Sequence, residues 1–246
     1  MSELHAAVRR AMGREPRLLD QVASVPFRPS ALPLSAAEEF RMLCTRLNHI
    51  QELKAVRTIT VSSPGPGEGK SFVAAHLALA ESQLKDNLTL LCDFDLRRPS
   101  LHQLFGIERT PGLTEYLRNQ AELCQAMRRI GDTNLYLMPA GAEIVNPLEL
   151  LTLKKVKDTG DRLADIFAWV ILDSPPLLSA ADGNLLSTLS DGTILVVRFG
   201  TTGLGAIPLA IQSLCQNNVL GLVVNGGPVT CAGRAADSNL CKGRPL

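Results

Sequence analysis

A strand, a glycine-rich turn and a helix follow one another without interruption near residue 60, and this unit constrains the fold most. Residues Val56–Ser62 are rich in β-branched side chains, which predicts a strand. The next segment, Pro64–Ser71, reads PGPGEGKS, and Ser71–Leu84 has the alanine and leucine content of a buried helix. The turn ends in Gly-Lys-Ser, as does the P-loop with which many α/β proteins bind phosphate groups.

The chemistry of phosphate binding explains the residue types in this turn. Glycines let main-chain N–H groups curl around phosphate oxygens without Cβ clashes, and the helix N-terminus adds partial positive charge. Lys70 is expected to bridge the terminal phosphates, and the Ser71 hydroxyl to coordinate Mg²⁺. The loop therefore predicts a magnesium nucleotide bound by Gly65, Pro66, Gly67, Glu68, Gly69, Lys70, Ser71 and Phe72.

Two other interpretations of the turn stay open at this point. Gly65, Gly67 and Gly69 form a G-x-G-x-G run that resembles a dinucleotide-binding turn, but that motif needs its third glycine one residue later. A plain surface turn rich in glycine and proline is the simplest alternative. One departure counts against the P-loop, because Pro64 replaces the first glycine of G-x-x-x-x-G-K-[ST].

Short apolar segments alternate with helical ones along the rest of the chain. The further strands are predicted at Leu88–Cys92, Leu135–Met138, Trp169–Leu172, Thr193–Val197 and Leu220–Val224. Helices are predicted from Ser35, as N-cap, to about Leu53, and over Thr114–Arg129, Pro147–Ile166, Asp182–Leu189 and Leu204–Cys215. Strands that lack polar alternation are typical of parallel sheets buried on both faces. The predicted fold class is a doubly wound, mainly parallel α/β sheet with helices on both faces.

Composition sets the expected domain organisation. We predict an N-terminal arm over residues 1–34, partly disordered, one α/β domain over 35–230 and a flexible tail over 231–246.

With 25 Lys and Arg against 24 Asp and Glu, the chain lacks the basic excess of a nucleic-acid-binding protein, so nucleic acid is not an expected partner. The longest apolar run, Ile166–Leu172, is too short to span a membrane, and a cytoplasmic location is expected.

Acidic residues follow two of the predicted strands. Asp93 and Asp95 come after Leu88–Cys92, and Asp173 follows Trp169–Leu172. Because α/β sheets bind ligands at the carboxyl ends of their strands, we expect these carboxylates to converge beside the loop. Such a cluster could complete the Mg²⁺ shell and provide a base for a substrate hydroxyl, although an isolated Asp after a strand is more often a turn residue.

The three boxes PGPGEGKS, LLCDFDLRRP and VILDSPPLL together resemble those of the bacterial tyrosine kinases of exopolysaccharide and capsule synthesis, the BY-kinases. These belong to the deviant-Walker branch of P-loop ATPases. The resemblance continues through LHQLFGIERTPGLTEYL, NPLELL, LSDGTILVVRFGTTGLGAI and VLGLVVNGG, and so covers about Ser35 to Gly227. It implies a cytosolic, Mg-ATP-dependent protein tyrosine kinase.

The resemblance also implies roles for single residues. Lys70 and Ser71 would hold phosphate and Mg²⁺, and Asp173 would complete the metal shell. Asp93 would act near the metal and the acceptor hydroxyl, with Asp95 in support. Two further residues are implied: Arg97 would help to organise the site, and Asn225 lies where relatives of this ATPase class contact the adenine.

Partners are implied by the same resemblance. The kinase would be switched on by a membrane-bound activator of the polysaccharide co-polymerase type on a separate chain, which would recruit it to the inner face of the membrane. Glu38–Cys44 resembles a subunit-contact motif, E-x-x-R-x-x-R, in which Cys44 replaces the last arginine, so a homo-oligomer stays open. The tail has no tyrosine, so autophosphorylation of the tail is excluded, and Tyr116 and Tyr136 are expected to pack. Phosphorylation of another protein, weak autophosphorylation within the folded domain and ATP hydrolysis without a kinase role stay open, with a protein tyrosine as the expected substrate.

Two other functions are alternatives to the kinase. A partition- or septum-site-type switch ATPase without kinase activity usually has a lysine at the position of Gly65, which lowers that alternative. A degenerate regulator that binds nucleotide without turnover is disfavoured because Lys70, Ser71, Asp93 and Asp173 are all present.

Overall fold

Eight strands join into one sheet in the computed structural model, which describes residues 16–27, 34–84, 87–151, 154–179, 181–214 and 218–227. Their order across the sheet is β1-β4-β5-β3-β6-β2-β7-β8. The strands are β1 (Ala23–Val25), β2 (Thr58–Ser62), β3 (Thr89–Asp93), β4 (Arg128–Ile130), β5 (Leu135–Met138), β6 (Trp169–Asp173), β7 (Gly192–Arg198) and β8 (Val219–Asn225). All neighbours are parallel except β4 and β5, which are antiparallel.

Helices connect the strands across both faces of this sheet. They are α1 (Pro16–Asp20), α2 (Leu34–Lys54), α3 (Lys70–Ser82), α4 (Leu101–Phe105), α5 (Leu113–Leu117), α6 (Leu123–Ala126), α7 (Pro147–Leu151), α8 (Lys154–Ile166), α9 (Ala181–Leu186) and α10 (Ala206–Ser213). Apolar side chains of α2, α3 and α4 pack on one face, and those of α5 to α9 on the other. Helix α10 packs on Leu195 and Val197, which point away from α2 and α3. The predicted doubly wound α/β fold is confirmed.

The central strands are buried on both faces, as the apolar sequences of β3, β5 and β6 predict. Every residue of β2, β3, β5 and β6 is buried. The parallel register pairs Asp93 directly with Asp173, so the last residues of β3 and β6 lie side by side. Strand β2 lies between β6 and β7. The fold therefore delivers the end of β2 and two aspartates to one edge of the sheet.

The structure differs from the sequence expectation in two places. Residues 16–25, assigned to the arm, form α1 and β1, and β1 pairs with β4 at the sheet edge. The helix predicted over Thr114–Arg129 is wrong, because α5 and α6 occupy its first part and its end belongs to β4. Asn119 adopts a positive φ of 59° between the two helices, which a continuous helix does not permit.

Other boundaries move by one to three residues or lie outside the description. Helix α2 begins at Leu34, one residue before the predicted cap Ser35. Of the expected arm and tail, residues 1–15, 28–33 and 231–246 are outside the described residues. No helix in the ranges given above is long and apolar enough to cross a membrane.

We expect Leu91→Ala to destabilise the fold strongly, because Leu91 is fully buried in the middle of β3. Removing a buried leucine side chain to its Cβ lowers the free energy of unfolding by about 2–5 kcal/mol. Urea denaturation followed by circular dichroism measures the loss. Leu53→Ala is the matched control, since Leu53 is 70% exposed on α2 and should change stability by less than about 0.5 kcal/mol. Equal losses in the two variants would contradict the assigned core.

Candidate active site

The loop and the acidic residues meet at the carboxyl ends of three adjacent strands. Strands β3, β6 and β2 are neighbours in the sheet. The PGPGEGKS loop follows β2, Asp93 ends β3 and Asp173 ends β6. The elements expected from sequence to form a site are therefore brought together at one edge, where open α/β sheets bind ligands.

In the main chain of the loop, carbonyl groups are hydrogen-bonded, whereas N–H groups are without acceptors among the described residues. The carbonyl of Gly67 accepts a hydrogen bond from Arg198 Nη1 at 3.1 Å, and that of Glu68 accepts one from Asn225 Nδ2 at 3.0 Å. The N–H groups of Gly67, Glu68 and Gly69 have no acceptor among the described residues. Carbonyls held outward and amides left unbonded are what a phosphate-binding nest requires.

Two glycines permit this arrangement of the loop. Gly67 and Gly69 have φ of 77° and 95°, conformations that residues with a Cβ rarely adopt. A Cβ on Gly69 would also lie 2.0 Å from Asn225 Nδ2, the atom that bonds the Glu68 carbonyl. Gly69 is therefore needed both for its conformation and for the close approach of β8 to the loop.

The start of the loop is anchored to the segment that follows β6. The Ser63 carbonyl accepts a hydrogen bond from the N–H of Leu177 at 2.8 Å, and the Pro64 carbonyl accepts one from Leu178 at 3.2 Å. Pro64 is buried at this junction and contributes only its carbonyl, so the missing N–H of proline leaves no group unbonded there. The departure from the usual glycine is compatible with this loop.

Lys70 faces the acidic residues across the site. Its Nζ lies 2.8 Å from Asp95 Oδ2 and 3.8 Å from Asp173 Oδ1, and its side chain is 12% exposed. Burial alone would lower the pKa of Lys70, but attraction to Asp173 and Asp95 outweighs burial and raises that pKa. The lysine is thus fully charged and oriented towards the carboxylates.

Asp93 and Asp173 are completely buried but differ in their hydrogen bonds. Asp93 Oδ2 accepts the N–H groups of Ser100 and Leu101 at the start of α4, and Oδ1 accepts that of Asp95. Neither side-chain oxygen of Asp173 has a hydrogen-bond partner among the described residues. Burial raises the pKa of Asp93, and repulsion by Asp173 raises it further; burial also raises the pKa of Asp173, although the attraction of Lys70 opposes it.

The unpartnered oxygens of Asp173 provide a test of whether Mg²⁺ fits. A buried carboxylate without a donor costs free energy unless a ligand satisfies it, and Mg²⁺ prefers carboxylate, hydroxyl and phosphate oxygens. Lys70 Nζ is 3.3 Å from the Ser71 hydroxyl as well as near Asp173, so Ser71 and Asp173 border the same space. The described residues contain no group of three or more His, Cys, Asp or Glu that could hold a metal alone. The residues therefore suit a metal that phosphate oxygens help to bind.

Three further predicted site residues already contact other groups of the protein. Arg97 Nε donates to Asp182 Oδ2 at 2.6 Å, and its side chain is 51% exposed. The Phe72 ring packs against His76, with 4.0 Å between the ring centroids. Asn225 uses its Nδ2 on the loop and keeps its Oδ1 without a partner in the described part of the chain.

Three residues of the site were not predicted from sequence. Asp182 is buried and holds Arg97, whereas Arg198 and Thr202 hold the loop from the end of β7. A signal for Arg198 exists, because it follows a buried apolar strand in the same way as Asp93 and Asp173 do. Asp182 and Thr202 have no comparable signal, since they lie away from strand ends.

In the segment that resembles a subunit-contact motif, some residues lie on the surface of α2 and one lies in the core. Glu38 and Arg41 form an ion pair on the exposed face of α2, with side chains 63% and 60% exposed. Cys44 is buried in the core between α2 and α3. Position 44 therefore points inward, away from any surface that a second subunit could contact.

Sequence comparison finds tyrosine-protein kinases. YwqD of Bacillus subtilis (strain 168) is 33% identical over 192 residues, which cover 77% of this chain and 81% of YwqD. The tyrosine-protein kinase ptk of Acinetobacter johnsonii is 32% identical over 191 residues, 78% of this chain but only 26% of ptk. The chain thus spans about a quarter of the longer relative. No protein-family model matches it.

Structural comparison gives the same result. The kinase domain of the Escherichia coli tyrosine kinase ETK superposes with a TM-score of 0.74 and 27% sequence identity. The match covers 87% of this chain and 94% of the ETK domain. The likeness therefore extends over nearly the whole solved domain.

We expect Gly69→Ala to destabilise the protein by about 1–3 kcal/mol, because a left-handed φ is unfavourable with a Cβ and Asn225 would have to leave the loop. Denaturation in urea measures the free energy of unfolding. Gly203→Ala is the control, since a Cβ there meets no atom within 4 Å. A Gly69→Ala variant as stable as Gly203→Ala would show that the loop does not need this conformation.

Proposed function

The chain belongs to the family of bacterial tyrosine-protein kinases, and we propose that its site transfers the γ-phosphoryl group of Mg-ATP to a tyrosine of another protein. We assign the kinase domain to residues 35–230, to which β1 adds an edge strand through its pairing with β4. The resemblance to kinases of exopolysaccharide and capsule synthesis supports a role in producing or exporting such a polymer. The relatives are named as kinases, and no observation favours the switch ATPase.

One observation carries this proposal: a buried lysine at the end of a phosphate-binding loop faces a buried aspartate that has no hydrogen-bond partner. Lys70 is 3.8 Å from Asp173, and both oxygens of Asp173 are unbonded in the described part of the chain. This pair is suited to a ligand that brings anionic phosphate to the lysine and a cation to the carboxylate. A magnesium nucleotide has both.

In the proposed reaction, the loop amides and Lys70 bind the phosphates of ATP. Lys70 exchanges its contact with Asp95, 2.8 Å in this structure, for phosphate oxygens. Ser71 and Asp173 would hold Mg²⁺, which neutralises charge on the transferred group. Asp95 then stays close to the lysine and keeps it aligned.

Asp93 is assigned the proton of the acceptor tyrosine. Burial and the neighbouring Asp173 raise the pKa of Asp93 to about 8, so its ionised form, which is the minor form at pH 7, is a stronger base than an exposed aspartate. The hydroxyl proton moves to Asp93, the tyrosine oxygen bonds to the γ-phosphorus, the bond between this phosphorus and the β–γ bridging oxygen breaks, and ADP leaves. After the step the proton is on Asp93, the phosphoryl group is on the tyrosine oxygen, and ADP is the leaving group.

Two rim residues are proposed to complete the nucleotide and acceptor sites. Asn225 Oδ1 can accept a hydrogen bond from the amino group of adenine while its Nδ2 stays on the loop. Arg97, fixed by Asp182 and half exposed, would orient groups that enter beside Asp95.

The acceptor tyrosine and the activator are proposed to belong to other chains. Tyr136 is 5% exposed in β5, and the Tyr116 hydroxyl bonds Thr159 Oγ1 at 3.3 Å, so both tyrosines of the chain pack within the fold. From the family resemblance we propose a membrane-bound activator of the polysaccharide co-polymerase type, which would recruit the kinase to the inner face of the membrane. A homo-oligomer could use the exposed Glu38–Arg41 pair on α2.

We expect Lys70→Met to abolish phosphotyrosine formation while the fold is kept, because the side chain at the loop is replaced by an apolar one of similar length. The purified chain is incubated with Mg-ATP and a tyrosine-bearing acceptor, phosphotyrosine is read by mass spectrometry and phosphate release is measured in parallel. Lys54→Met, an exposed lysine at the end of α2, is the matched control and should keep wild-type activity.

Each result of this experiment has a defined meaning. Phosphotyrosine that requires Lys70 but not Lys54 supports the kinase. Phosphate release that requires Lys70 without any phosphotyrosine would instead indicate a switch ATPase. Wild-type turnover in Lys70→Met would overturn the assignment of the loop.

We expect Asp93→Asn to lower kcat by about 100-fold or more, while the KM for ATP changes by less than about threefold. Asparagine keeps an acceptor oxygen for the two N–H groups at the start of α4 but cannot take up the tyrosine proton. Steady-state kinetics with varied ATP separate the two effects, with Asp132→Asn, an exposed turn residue, as control. Equal losses in kcat and ATP affinity would mean that Asp93 binds rather than catalyses.

A further inference from the structure

The outward side of the phosphate-binding loop is held by the segment that follows β7. Arg198, the last residue of β7, donates from Nη1 to the Gly67 carbonyl at 3.1 Å. Four residues later, Thr202 Oγ1 lies 2.8 Å from Glu68 Oε1. The segment 198–202 therefore contacts both the main chain and a side chain of the loop.

The direction of the hydrogen bond between Thr202 and Glu68 is fixed by a third group. The N–H of Arg198 donates to Thr202 Oγ1 at 2.8 Å, so this hydroxyl already accepts one bond. The single hydroxyl proton is then free for Glu68, whose carboxylate can only accept when ionised. The result is a chain from the β7 main chain through Thr202 to the loop.

Glu68 depends on this bond because no other hydrogen-bond donor to its carboxylate is found among the described residues. Its side chain is 7% exposed, and Oε2 is buried without a hydrogen-bond partner in the part of the chain that the structure describes. Oε1 also lies against the beginning of the loop, 3.7 Å from where a Cβ of Gly65 would be. The carboxylate of Glu68 thus lies on the side of the loop where Gly65 is, close to the start of the loop that must fit the phosphates.

We propose that Thr202 is a positioning residue for ATP binding, which acts through Glu68 to hold the loop in its phosphate-binding shape. Without the hydroxyl, Glu68 would keep a buried carboxylate with no donor, and such a group moves towards water. This movement would break the link between the loop and the end of β7. This inference rests on the proposed binding of Mg-ATP by the loop.

The test replaces Thr202 by valine, which removes the hydroxyl and keeps the shape. We expect the KM and the Kd for ATP to rise about tenfold, while kcat at saturating ATP changes less than about twofold. Thr202→Ser keeps the hydroxyl and should restore wild-type values. Thr188→Val is the matched control, because Thr188 is exposed and bonds only its neighbouring Leu185 carbonyl.

A double-mutant cycle tests whether Thr202 acts through Glu68. In a Glu68→Ala background, Thr202→Val should weaken ATP binding by less than about twofold, since the carboxylate that it serves is gone. Additive effects would overturn the proposed route. A serine variant as defective as valine, an unchanged KM in Thr202→Val, or an equal rise in Thr188→Val would each overturn the inference.

ATP binding by the wild-type protein distinguishes a failure of this inference from a failure of the proposed function. ATP binding that Lys70→Met abolishes, together with an unaffected Thr202→Val, refutes the role of Thr202 and leaves the kinase proposal in place. A wild-type protein that does not bind Mg-ATP refutes both. Thermal unfolding of each variant confirms that the comparison is made between folded proteins.

Discussion

One ammonium group facing a cluster of buried carboxylates is the interaction on which this site depends. The parallel register of β3 and β6 places Asp93 beside Asp173, and both are buried, so their ionised forms are unfavourable. Lys70 offsets part of this cost, but only while the helix that begins at Lys70 and the loop before it keep their positions. The hydrogen bonds that hold the loop therefore also determine the charge balance of the catalytic edge.

The fold class could be predicted from the sequence because its central elements are defined by local pattern. The inner positions of β3, β5 and β6 are apolar, as a strand buried on both faces requires, and β2 is rich in β-branched residues, which favour strands. Strands β1 and β4 could not be predicted, since three residues are too few for a pattern and both form through main-chain pairing. Their positions are set by tertiary contacts that no single segment encodes.

The residues of the candidate site also fall into those that a local sequence pattern identifies and those that it does not. Residues that would touch phosphate or metal occupy a loop motif or the last position of a buried strand, so their type and position identify them. Asp182 and Thr202 act by holding another residue, and that relation exists only after folding has brought distant segments together. Arg198 lies between the two cases, because it ends a strand but its guanidinium supports the loop.

The two tyrosines support the proposal that phosphoryl transfer is directed to another protein. Tyr136 lies in the interior of the sheet, where its ring contacts Phe167 edge-on at 5.4 Å. Tyr116 is held at both ends, with Lys155 Nζ 4.1 Å from its ring centroid and Thr159 at its hydroxyl. For either tyrosine to accept a phosphoryl group, its ring would first have to leave the contacts that hold it in the fold. A separate tyrosine requires only access to the open edge of the sheet, so catalysis and fold stability do not conflict.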